Sequence, residues 1–147
     1  MLVKRSAVVA FVALTVACGG EDRPVLKVGT DLTSYTRASI PSTATSPVAL
    51  VPYNTWNRGS ATAFIPACGV HPSAVVERLV GGQWEMYASA ICIDIMMETP
   101  IELRAGQSRQ DQVAIGEAGH FRLRIPYRAA ASASSSFDAV SREFDVQ

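Results

Sequence analysis

The stretch from Ser73 to Tyr87, SAVVERLVGGQWEMY, decides the fold class of this chain. Two strand-like runs, Ser73 to Val80 and Gln83 to Tyr87, flank the pair Gly81 and Gly82, and paired glycines supply the positive φ that a two-residue hairpin turn demands. Alternation along the first run sets Val76, Arg78 and Val80 against Val75, Glu77 and Leu79, while Trp84 and Met86 share a face after the turn. One side of this hairpin must therefore carry charge to water.

The same alternation extends outward. His120 to Tyr127 alternates strictly, predicting Phe121, Leu123 and Ile125 inside and His120, Arg122 and Arg124 outside. Further strands are expected over Val25 to Thr30, Pro47 to Trp56, Ala61 to Pro66, Pro100 to Arg104, Ser108 to Ile115 and Phe137 to Val146. Pro52 removes one ladder donor and so predicts an edge position or a bulge. Asn57 to Ser60 reads as a turn, and Ser34 to Ser46 and Ala129 to Ser136 read as loops rich in Ser, Thr and Ala. Ala90 to Met97 alternates Ile91, Ile93 and Ile95 with Cys92, Asp94 and Met96 and fits either a strand or a buried helical turn. Short strands, frequent turns and no long helical stripe past the N-terminus predict an all-β chain, an antiparallel β-sandwich of about seven to nine strands.

At the N-terminus Lys4 and Arg5 precede an apolar run from Ala7 to Ala17 that is too short to span a bilayer. This is the layout of an export signal. Leu14, Thr15, Val16, Ala17 and Cys18 resemble the lipobox of bacterial lipoproteins, with Thr15 where Leu is commonest. That resemblance implies acylation of Cys18 and a lipid-anchored chain in the cell envelope, with Gly19 resembling lipoproteins forwarded to the outer membrane. The expected organisation is a signal over 1–17, a lipid-anchored tether over 18–24 and one domain over 25–147.

The chain has 147 residues and equal numbers of basic and acidic side chains, 13 of each. Without Lys4 and Arg5 the remainder is slightly acidic and holds a single lysine, Lys27. Nucleic acid is excluded as a partner, because such binding needs clustered cations to displace counterions from phosphates.

The succession Cys68-Gly69, Gly81-Gly82-Gln83-Trp84, Leu103 to Ser108 and Gly119-His120-Phe121-Arg122 is similar to small immunoglobulin-like domains of exported bacterial lipoproteins. The resemblance runs from about Val48 to Val146. It implies an immunoglobulin-like sandwich and no particular chemistry, since a fold does not imply a function.

Cys68 and Cys92 lie 24 positions apart, and in an exported chain a disulfide is their natural state. Acylating Cys18 leaves these two as a pair. The alternative is a metal site, with Cys68, His71 and Cys92 as ligands and Met96 or Met97 as a soft fourth suited to copper. No nucleophile motif, paired catalytic carboxylates or phosphate-cradling loop is present, so no enzyme and no cofactor are expected. Trp56, Trp84, Tyr53 and Tyr87 read as core or hairpin packing, with an aromatic platform for sugar or peptide as the other possibility. The function expected is structural or interactive: a non-catalytic envelope protein with a membrane anchor and an unnamed protein or carbohydrate partner. A module that binds a ligand or inhibits a protease through its loops is the alternative.

Overall fold

The structure is a computed structural model that describes residues 22–38, 46–89 and 99–147. Thirteen strands and no helix occur among them. In chain order they are β1 (Leu26–Thr30), β2 (Ser34–Tyr35), β3 (Ala49–Asn57), β4 (Ala63–Ile65), β5 (Ala67–Cys68), β6 (His71–Pro72), β7 (Val75–Val80), β8 (Gln83–Ser89), β9 (Ile101–Leu103), β10 (Ser108–Ile115), β11 (Gly119–Tyr127), β12 (Phe137–Val140) and β13 (Phe144–Val146).

Two sheets form the sandwich. One has the order β1-β3-β10, and the other β2-β13-β11-β7-β8 with β12 also on β11. The chain crosses from the first sheet to the second between β3 and β7, returns for β10, and crosses again into β11. Three strands facing a sheet built on β8, β7, β11 and the β12–β13 pair is the immunoglobulin-like arrangement. Two further ribbons, β4–β9 and β5–β6, are separate two-stranded sheets.

The alternation at β11 carries the core. Phe121, Leu123 and Ile125 are wholly buried, as are Val51, Ile65 and Ile115 opposite them. Burying each such side chain contributes about 1.5–3 kcal/mol. Phe121 and Phe144 stack at 6.2 Å, and Tyr35 meets Phe144 edge-on.

The Gly81–Gly82 hairpin is present, with φ of 58° and 84° at the two glycines. Beyond it the register shifts: Glu77 faces Met86 but Val76 faces Ala88, leaving Tyr87 as the extra residue of a bulge. Tyr87 and Ala88 consequently both pack toward the core.

Three expectations are refined. Pro52 lies within β3, the middle strand of its sheet, yet β1 ends at Thr30 opposite Tyr53, so at Pro52 only β10 is a neighbour and one flank needs no donor. Phe137 to Val146 is two strands, because Ser141 breaks the ladder: its backbone N–H donates to the Leu123 carbonyl and its hydroxyl accepts from the Leu123 N–H. Ser34 and Tyr35, inside the segment expected to be a loop, pair in parallel with Asp145 and Val146. The signal, Cys18 and residues 90–98 lie outside the described residues.

Candidate functional site

Because Phe121, Leu123 and Ile125 turn inward, His120, Arg122 and Arg124 are forced onto the outer face of the six-stranded sheet. Register brings β7, β8, β12 and β13 alongside them. Glu77 pairs across from Arg122, Met86 from Glu77, Trp84 from Leu79, Val140 from Arg124 and Asp145 from His120.

The polar groups on this face form one continuous array. Arg122 Nε donates to Glu77 Oε2 at 2.6 Å, Arg124 Nε to Oε1 at 2.8 Å, and Arg124 Nη1 to Asp138 Oδ1 at 3.4 Å. The Arg122 guanidinium also sits 4.4 Å above the Trp84 ring, a cation–π contact. On the far side of that ring array, Trp84 meets the His120 imidazole at 5.9 Å, and His120 contacts Asp145 through Nδ1 at 2.7 Å and Glu143 through Nε2 at 2.8 Å.

Protonation states follow from these contacts. Burial opposes ionisation of Glu77, but the hydrogen bonds from Arg124 and Arg122 outweigh it and hold the carboxyl below its ordinary value. Hydrogen bonds to Glu143 and then Asp145 raise the His120 pKa, since both ring nitrogens donate only in the imidazolium. Beside this charged array stand exposed apolar side chains: Met86 is 68% exposed, Val140 45% and Leu79 36%. The face thus offers rigidly held aromatic and charged groups with adjacent apolar surface.

The residues singled out in the sequence fall in several places. Cys68 and His71 stand opposite each other in the β5–β6 ribbon, brought together by the tight turn at Gly69, φ 67°. Cys68 Sγ lies 3.6 Å from Ser73 Oγ, and His71 Nδ1 lies 3.7 Å from Asp111 Oδ1. Cys92, Met96 and Met97 are outside the described residues, and among those described no three His, Cys, Asp or Glu side chains are grouped to hold a metal ion.

The four aromatics divide. Tyr53 is in the core and Tyr87 packs edge-on against Phe121 at 5.3 Å, as core packing predicts. Trp84 lies on the outer face, and Trp56 covers Gly29 on the outer face of the other sheet, where a Cβ on Gly29 would come within 3.1 Å of its ring. Alternation places Glu77 on the face opposite Arg78 without saying which face meets water; its role as the carboxylate shared by Arg122 and Arg124 depends on strand order, which alternation does not encode.

No family model and no curated protein matches the chain. Among solved structures it is similar to a Northeast Structural Genomics Consortium target at 12% identity, over 84% of this chain and 86% of that one, with a TM-score of 0.41. The CARDB domain of a Pyrococcus furiosus protein, in complex with di-metal ions, is 12% identical over 85% of this chain and 94% of that one, TM-score 0.40. A β-glucosidase from Listeria innocua overlaps 80% of this chain but only 16% of its own length, at 8% identity and TM-score 0.37.

Proposed function

We propose that this chain is a lipid-anchored, non-catalytic interaction module of the cell envelope that engages a protein partner through the outer face of the six-stranded sheet. The observation that carries the surface is the combination found there: Trp84 fixed by Arg122, a fully paired charge array, and exposed Met86, Leu79 and Val140 beside it. Interfaces favour such rigid aromatic and arginine anchors bordered by apolar surface. Acylation of Cys18 rests on the lipobox-like residues before it, and two acyl chains suffice for stable anchoring.

Within this reading Cys68 and Cys92 form a disulfide. Ser89, the last residue of β8, pairs with Val75, two positions from the Ser73 hydroxyl that lies against Cys68 Sγ, and Ser89 is three positions before Cys92 in sequence. Closing that loop would stabilise by about 3–4 kcal/mol.

Intact mass of the membrane-purified protein tests the anchor and the bridge together. An acylated chain beginning at Cys18, with two thiols that react only after reduction, is expected; an unacylated chain or two free thiols overturns the corresponding part. A photo-crosslinker at Met86 should give a discrete adduct in membranes that one at Lys27, on the other sheet, does not. Equal labelling from both positions would remove the outer face as the docking surface.

A further inference from the structure

A second feature, independent of the outer face, lies at the flank where β8 and β10 end the strand orders of their sheets among the described residues. Between the edge strand β10 and the β6–β7–β8 edge is a cleft of about 210 Å³. Its walls are apolar and small, formed by Pro72, Ala74, Val76, Ala88 and Val113. Its polar side chains are Tyr53 on β3 and Asp111 opposite it on β10, with Gln112, Ser89 and His71 also in the lining.

Tyr53 is 1% exposed and lines this cleft. Among the described residues, the sealed side-chain polar atoms without a hydrogen-bond partner are Thr55 Oγ1 and Arg128 Nε. The Tyr53 hydroxyl also has no hydrogen-bond partner among the described residues, yet it is not sealed, so it opens onto the cleft. A ligand carbonyl in the cleft would give this hydroxyl the acceptor that the fold does not supply. Burial, reinforced by the Asp111 charge, pushes this phenol above its ordinary pKa and keeps it a donor.

Asp111 is held from the other side. Arg109 donates to it through Nε at 2.6 Å and Nη2 at 3.1 Å, and also donates to the Val70 carbonyl. The carboxylate side chain is 5% exposed and, with about four lone-pair sites, keeps acceptor capacity beyond these two bonds. The Arg109–Asp111 pair leaves the cleft without net charge, which disfavours charged ligands.

We propose that this cleft binds a secondary amide bearing small apolar substituents. Such a group presents a carbonyl to the Tyr53 O–H and an N–H to Asp111, residues paired across β3 and β10 and both lining the cleft. Its methyl-sized substituents lie against Ala74, Val76, Ala88 and Val113. Peptides and N-acetylated sugars both carry this group.

The test is titration of the full chain in detergent micelles with N-acetylalanine methylamide and, separately, N-acetylglucosamine, followed by the methyl resonances of Ala74, Ala88 and Val113. Saturable shifts at millimolar concentration are expected from at least one probe, and which one responds identifies a peptide or a sugar source. Tyr53→Phe removes only a hydroxyl that bonds nothing in the fold, so it should keep the parent thermal midpoint while weakening binding about tenfold or more. Ala88→Leu, which fills the cleft and spares the hydroxyl, should abolish the shifts as well. Absence of shifts with both probes, or unchanged affinity in Tyr53→Phe, overturns the proposal.

Discussion

Asn57 Nδ2 donates to the Leu103 carbonyl at 2.8 Å, joining the end of β3 to β9 across 46 positions of sequence. The same amide donates to the Ala61 carbonyl at 2.7 Å, and its oxygen accepts from the N–H groups of Gly59 at 3.0 Å and Val25 at 3.3 Å. A wholly buried side chain is thereby satisfied on every side and substitutes for backbone pairing where three segments meet. Asn57→Ala strands those backbone groups, and the expected loss is about 3 kcal/mol, read as a lower urea midpoint at unchanged m-value. Asn57→Asp, unable to donate, should be at least as damaging.

Gly59 in the adjoining turn is fixed by space. A Cβ there would sit 2.3 Å from the Arg23 carbonyl oxygen and 2.5 Å from the Val25 nitrogen, both backbone atoms. Gly59→Ala should therefore cost about 2 kcal/mol by thermal or urea unfolding, whereas an ordinary surface Gly→Ala exchange is close to neutral or stabilising.

Glu77 is shared by two arginines, and its carboxyl pKa is lowered in the fold. A lowered folded value gives stability that is present above the unfolded pKa, near 4.5, and lost as pH falls through the folded one. Glu77→Gln should cost about 1–2 kcal/mol at pH 7, with the difference from the parent narrowing toward pH 3. A constant difference across that range would show that the charge contributes nothing.

His120 acts with the opposite sign. Its pKa is raised, so its contribution is complete below the unfolded value of 6.5 and disappears as pH rises through the folded value. His120→Gln is expected to destabilise by less than about 1 kcal/mol at pH 5.5, as befits partly exposed ion pairs, and to match the parent at pH 9. Urea midpoints at the two pH values check this.

How much of this was legible in the sequence depends on distance along the chain. Period-two alternation in β11 and the glycine pair before β8 are local signals, and both strands and the inward face of β11 follow from them. The bounds of β10, Ser108 to Ile115, follow from the turn residues on either side, Ala105 to Gln107 and Gly116 to Gly119. What local patterns do not carry is which strand lies beside which. The Glu77–Arg122–Trp84–His120 array needs β7 between β11 and β8, and the Tyr53–Asp111 pair needs β10 beside β3. Asn57 illustrates the limit further: Asn before Arg-Gly-Ser signals a turn, and its burial is decided by β9, far away in sequence. The Tyr87 bulge was hidden because one extra residue in a strand leaves composition and turn signals unchanged.

The parallel contact between β2 and β13 has a mechanical meaning. Backbone bonds from Asp145 N–H to the Thr33 carbonyl, Gln147 N–H to the Tyr35 carbonyl and Arg37 N–H to the Gln147 carbonyl lie side by side. Tension applied between the two ends of the domain pulls these parallel strands in opposite senses along their length. The three bonds are then loaded in shear and must give way together, where a perpendicular pull would open them one by one. Against force in that direction the domain opposes a clasp of β2 on β13.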